Sequence, residues 1–278
     1  MSASSSPPRR RATTREFEAM KARGEKVTVL TCYDVLFARL LEAEGIDMIL
    51  IGDSLGQVVL GYESTIPVTL DEMLHHGRAV ARGAPDTFKV LDLPFLTYQV
   101  SVEDALRSAG RALKEGGVQG VKVEGADPGI CEVVARLVRA GIPVMGHIGL
   151  TPQAVHQLGG YRVQGRSENE ARTLLEGAKQ LEEAGCFSIV LELLPGELAT
   201  HISQQLRIPT IGIGAGPGCD GQVLVLPDAL GLNPDFSPRF LKRFAELGEA
   251  AREGVRGYLR EVREGSYPGE EHTFGGRE

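Results

Sequence analysis

The feature that most constrains this chain is a joint that recurs along it: an amphipathic stretch ends in glycine, and an apolar, β-branched run follows within a few residues. It reads AEGIDMILIGD at 43–53, RGAPDTFKVLD at 82–92, EGGVQGVKVE at 115–124, RAGIPVMGH at 139–147 and EAGCFSIVLE at 183–192. Gly45, Gly83, Gly117, Gly141 and Gly185 stand where a helix closes in the left-handed conformation that glycine tolerates best. The runs after them are nearly all apolar rather than alternating, as expected of parallel strands covered on both faces.

Upstream of the joints, helices are legible. Asp34 is placed to N-cap VLFARLLEAE, whose apolar positions 36, 37, 40 and 41 fall on one face. Ser101 and Asp104 resemble an acidic capping box, and Ser167 opens ENEARTLLEGAKQLEEAG. Adding VTVLTCYD (27–34), IPTIGIGAG (208–216) and QVLVLPD (222–228) brings the candidate strands to eight. Eight β-then-α units in one series predict a closed (β/α)8 TIM barrel, with an open doubly wound sheet as the alternative. Residues 15–278 are expected to form one barrel domain, with 238–264 as its last helix and 1–14 as a disordered basic tail.

The composition narrows the partners. Thirty Lys and Arg against 37 Asp and Glu give a net charge of −7, which argues against general affinity for nucleic acid or anionic membrane. No run approaches the roughly 18 apolar residues of a membrane span. The N-terminus lacks a secretory apolar segment, and its Pro7-Pro8 pair argues against a transit-peptide helix. Cys32, Cys131, Cys186 and Cys219 are scattered, so they read as reduced thiols of a cytoplasmic protein.

In such barrels the active site lies where the strands end. The residues closing the second to sixth runs are Asp53, Asp92, Glu124, His147 and Glu192. Each alone reads as a turn former or cap; five together predict a charged mouth. Carboxylates without a Cys/His cluster favour Mg²⁺, with Asp53 and Asp92 as ligands and Glu124 bound directly or through water. Lys122, two residues before Glu124, points to the same side. It needs an anion there, either a substrate carboxylate or an acidic neighbour, and a Schiff-base role is a further option. Glu192, between Leu191 and Leu193, suits a base with a raised pKa or a turn before Pro195. Gly216, Gly218 and Gly221 match G-x-G-x-x-G only weakly, and phosphate binding or a tight turn near ligand are both open. His75 and His76 read as helix-face or interface residues.

The segments IGDSLGQVVLGYEST, LDLPF, VKVEG, GHIGLTPQ, HQLGGYRVQGR, VLELLP, IPTIGIGAGPGCDGQVLV and SYPGEEHTF, in order over about residues 12–274, resemble the 3-methyl-2-oxobutanoate (ketopantoate) hydroxymethyltransferase family. The resemblance implies a barrel of the phosphoenolpyruvate/pyruvate type. It implies transfer of a hydroxymethyl group from 5,10-methylenetetrahydrofolate to 3-methyl-2-oxobutanoate through a Mg²⁺-stabilised enolate, giving 2-dehydropantoate for pantothenate synthesis. It places the metal on Asp53, Asp92 and Glu124, the substrate on Asp53, Ser54, Asp92, Lys122 and His147, and the catalytic base on Glu192. It also implies a cytosolic homo-oligomer, often a decamer. His75-His76 stands where the family has Tyr-His, and Ala126 where it has a glycine; neither is a proposed ligand. A Mg²⁺-dependent carbon–carbon lyase, a Schiff-base aldolase and a non-catalytic binding protein are the rival readings.

Overall fold

The computed structural model describes residues 13–275, so most of the tail expected over 1–14 lies outside the described residues. Thr14 already opens a helix, Thr14–Arg23. The chain forms two compact units, Met1–Val225 and Leu226–Glu278, the boundary falling just past the last strand.

In the first unit eight parallel strands close on themselves: β1 Val27–Thr31, β2 Met48–Ile51, β3 Phe88–Asp92, β4 Gly120–Glu124, β5 Val144–Gly149, β6 Ser188–Glu192, β7 Thr210–Ile213 and β8 Gly221–Leu224. Each pairs with the next, and β8 pairs with β1. The expected barrel is therefore present and the open sheet is excluded. Alternate residues of each strand face inward. Val27, Val29, Met48, Leu50, Phe88, Val90, Met145, Val190, Ile211 and Val223 form one buried cluster with Phe17 and Met20 of helix Thr14–Arg23. Phe17, Phe88 and Phe187 meet edge to face, with centroids 5.2 and 5.6 Å apart around Phe88. The same inward parity continues to Asp92, Lys122, Glu124, His147 and Glu192. The interior thus passes from apolar to charged along the strand direction.

Four of the five joint glycines adopt the left-handed conformation: Gly45 (φ 80°), Gly117 (73°), Gly141 (86°) and Gly185 (103°). Gly83 does not; it is the last residue of helix Leu70–Gly83. A Cβ there would strike the carbonyl of Val35 and the side chain of Ala38, so this glycine serves close packing of two helices. That packing turns helix Val35–Glu44 so that Ala38 and Leu41 are buried, leaving Leu36 71% and Leu40 50% exposed. The predicted caps form: Asp34 accepts from the amides of Leu36 and Phe37, Ser101 from Asp104, and Ser167 and Glu170 make a reciprocal box.

One unit departs from a regular β-then-α series. No helix separates β7 from β8; residues 214–220 return directly. The glycines of this stretch are required by contact. A Cβ on Gly218 would overlap Thr200, one on Gly216 would crowd Gly196, and one on Gly221 would meet the Val27 carbonyl. Lys21 fastens the return by pairing with Asp220 at 2.9 Å.

The second unit contains helices Leu226–Ala229 and Leu247–Glu264. Helix was expected from Pro238, but it begins nine residues later. The amides of Phe244, Leu247 and Gly248 donate to the carbonyls of Ala229, Leu230 and Gly231, which holds this segment against the preceding turn. Among the described residues no helix is long and apolar enough to cross a membrane. All four cysteines are free, and Cys32, Cys186 and Cys219 are buried.

Candidate active site

The residues that close β2 to β6 meet at one mouth of the barrel. The backbone amide of Asp53 donates to Asp92 Oδ2 at 3.1 Å. Lys122 Nζ lies 3.3 Å from Asp92 Oδ1, 3.8 Å from Glu124 Oε1 and 3.1 Å from His147 Nδ1. Across the β5–β6 pairing, His147 Nε2 faces Glu192 Oε2 at 3.1 Å. Asp53, Asp92, Lys122, Glu124 and His147 are each no more than 6% exposed, whereas the Glu192 side chain is 17% exposed. Ser54, beside Asp53, shares a 2.9 Å hydrogen bond with the Tyr33 hydroxyl.

The family model described as ketopantoate hydroxymethyltransferase matches residues 11–270. The chain belongs to this family. The 3-methyl-2-oxobutanoate hydroxymethyltransferase of Syntrophotalea carbinolica is 54% identical over 95% of this chain and 99% of its own length. That of Thermus thermophilus is 54% identical over 95% and 100%. Among solved structures, a phosphonopyruvate hydrolase complex with oxalate and Mg²⁺ superposes with TM-score 0.61 at 13% identity, covering 93% of this chain and 92% of that one. A 2,3-dimethylmalate lyase of the PEP mutase/isocitrate lyase superfamily gives 0.58 at 17%, covering 94% and 91%. At these identities the likeness shows the fold alone, a closed β/α barrel.

In this ketopantoate hydroxymethyltransferase family member the buried charges set one another's protonation. Burial, then the carboxylates of Asp92 and Glu124, push Asp53 well above the ordinary carboxylate range. Burial also raises Asp92, with Lys122 opposing it. Burial works against ionised Glu124 too, but His147, 3.3 Å from its Oε1, and the charge of Lys122 hold it below its usual value. Burial alone would lower Lys122; Asp92, Glu124 and Asp53 reverse this and keep it a firm ammonium. His147 is opposed by burial and by Lys122, yet Glu124 and Glu192 raise its pKa. Two bonding patterns follow, and they exclude each other. A neutral ring accepts from Lys122 at Nδ1, while an imidazolium donates from Nδ1 to Glu124 Oε1, 3.3 Å away.

Among the described residues, no group of three or more His, Cys, Asp or Glu side chains forms a ready-made metal cage. Magnesium does not need one, since it takes one or two carboxylates and fills its octahedron with water and substrate oxygens. Asp92 Oδ1 and Glu124 Oε1 are buried without a hydrogen bond, and the Asp53 carboxylate is crowded by two others. A divalent cation would relieve both conditions, so the donor set fits the ion.

Sequence reasoning singled out the charges but not the side chains that hold them. Gln153, in a 3-10 turn after β5, donates from Nε2 to Asp53 Oδ2 at 2.8 Å, and its amide donates to Glu124 Oε2 at 3.0 Å. Tyr98, fully buried, accepts from the Glu124 amide at 2.9 Å and donates to Gln153 Oε1 at 2.8 Å. Their only signal was a polar residue after Pro152 in GHIGLTPQ and an aromatic after LDLPF. Glu192 has no cation beside it in sequence; His147 supplies a partner from the neighbouring strand. Leu193, next to it, holds φ at 48°, and its amide and carbonyl are engaged by Ile213 and Gln164. Such strain persists only where the surroundings over-determine it. His76 is occupied by the Tyr33 carbonyl at 2.7 Å.

Proposed function

We propose that the chain transfers a hydroxymethyl group from 5,10-methylenetetrahydrofolate to 3-methyl-2-oxobutanoate, giving 2-dehydropantoate and tetrahydrofolate with consumption of one water. The observation that carries this reading is the gathering, at one mouth, of buried carboxylates that face Lys122 and His147 through oxygens without a hydrogen bond, beside a partly exposed carboxylate on the rim. The 54% identity to enzymes bearing that name supports it. On the same resemblance we propose a cytosolic homo-oligomer.

Asp53 and Asp92 would hold Mg²⁺, with Glu124 beside them. When bound, the ion polarises the keto oxygen of the 2-oxo acid and spreads the charge that develops there. The substrate carboxylate lies against Lys122 and Ser54. Lys122 is already fixed by Asp92 and Glu124, so its charge needs no reorganisation during the reaction. Glu192 removes the proton from C3. Its contact with His147, whose Nε2 carries a proton in both bonding patterns above, fixes the carboxylate on the substrate side of β6. The resulting carbon nucleophile attacks the folate methylene carbon and breaks one of its two bonds to folate nitrogen; water then displaces the second nitrogen, supplying the product hydroxyl and, with its proton, releasing tetrahydrofolate.

Replacing Glu192 with Gln tests the assignment. Exchange of the C3 hydrogen with deuterated solvent is expected to fall by roughly 10²- to 10⁴-fold, the usual contribution of a positioned base. Substrate affinity should change little. Undiminished exchange would remove Glu192 from this role.

A further inference from the structure

Gln153 stands out from the other buried polar side chains of the mouth because its amide is used to capacity. Nε2 donates to Asp53 Oδ2 at 2.8 Å and to the Leu93 carbonyl at 3.0 Å. Oε1 accepts from the Tyr98 hydroxyl at 2.8 Å and from Gln99 Nε2 at 3.1 Å. The orientation is not free. Leu93 O only accepts, and the Tyr98 hydroxyl already accepts from Glu124 N–H, so its own proton points at Oε1. The backbone amide of Gln153 meanwhile takes Glu124 Oε2 at 3.0 Å and leaves Oε1 without a hydrogen bond. One residue on the β5 side therefore grips two carboxylates from β4 and the end of β2. It is 5% exposed and carries no charge.

We infer that Gln153 is the positioning residue of the cation site: it aims Asp53 through its side chain and Glu124 through its backbone, without touching the ion itself. The inference rests on the divalent-cation reading given above. Its physical basis is general. A carboxylate ligand held by an outer hydrogen bond loses little orientational freedom on binding metal, and loss of such a partner typically weakens affinity by roughly 10- to 100-fold. An amide is suited to the task because it donates to Asp53 without adding a charge that would compete with the ion.

The test is titration of the substrate-free full-length protein with Mn²⁺, read by the loss of the free-ion electron paramagnetic resonance signal. Gln153→Met keeps the volume and removes both donors. It is expected to raise the Mn²⁺ dissociation constant at least tenfold, and activity should return largely to the wild-type kcat at saturating metal. A residue that merely supported the fold would not give that split. If Gln153→Met does not fold, Tyr98→Phe serves. It frees Oε1 but leaves both acceptors of Nε2 in place, so a smaller weakening, about threefold or more, is expected. An unchanged dissociation constant in whichever variant folds overturns the inference alone. Failure of the wild-type chain to bind Mn²⁺ overturns the metal reading and this inference with it.

Discussion

Lys122 is the only cationic side chain in contact with Asp92 and Glu124 apart from His147, so its removal has a calculable consequence among these described residues. At 3.3 and 3.8 Å, with an effective dielectric constant near 20, its gross attractions to Asp92 and Glu124 are about 5 and about 4 kcal/mol. The net effect of Lys122→Met is smaller. The ammonium no longer has to be desolvated, and the stranded carboxylates take up protons. We expect the metal-free variant to be less stable by about 3–5 kcal/mol, the usual result of breaking a buried ion pair. The pH dependence follows in sign. Without Lys122, the folded-state pKa values of Asp53 and Asp92, already raised, rise further. The folded variant then keeps protons that the unfolded chain releases above about pH 4, so its stability falls as pH increases toward those raised values, more steeply than for the wild type. The chain has no tryptophan, so urea unfolding followed by far-ultraviolet circular dichroism, in chelator, is the suitable assay. A variant within 1 kcal/mol of the wild type at pH 8, with a parallel pH dependence, would refute the buried charge cluster as described.

Two further outcomes are expected. Burial and two neighbouring carboxylates raise Asp53, so Mg²⁺ must displace a proton; affinity should increase with pH, and calorimetric heats should vary with the ionisation enthalpy of the buffer. Heats independent of buffer would show that Asp53 is already ionised in the apo protein. At the β7–β8 return, Gly218→Ala should destabilise the barrel by about 1–3 kcal/mol through overpacking against Thr200, and adding Thr200→Ala should recover part of the loss. Strict additivity of the two substitutions, measured by urea unfolding, would mean they do not meet.

The barrel was readable because two local rules agree along the chain: glycine stops at helix ends and unbroken apolar runs after them. The charged mouth followed because strand parity carries Lys122 and Glu124 to one side, and both are buried 3.8 Å apart. What parity does not provide is register between strands. The meeting of His147 and Glu192 depends on β5 pairing with β6 so that Gly149 lies opposite Glu192, which no local pattern encodes. Gln153 escaped for a different reason. It sits in a short turn outside any periodic element, and an amide has no chemistry that marks it until its partners are in place. The missing helix before β8 had a signal, the density of glycines from 212 to 221, which reflects chain-on-chain contact. Helix Leu247–Glu264 starts late because tertiary hydrogen bonds from Phe244 and Leu247 outweigh the local propensity of the residues before it.

In the proposed reaction, carboxylates gathered from separate strands, with a cation on the substrate side, drive one-carbon addition to a 2-oxo acid. The direct measurement is formation of 2-dehydropantoate from 3-methyl-2-oxobutanoate by the purified chain, with methylenetetrahydrofolate and Mg²⁺ each supplied and withheld. Product that requires both, and that disappears on chelation and returns with added Mg²⁺, is the result expected. Turnover that persists without the folate, or in excess chelator, would contradict it and direct attention to a lyase or a Schiff-base route through Lys122.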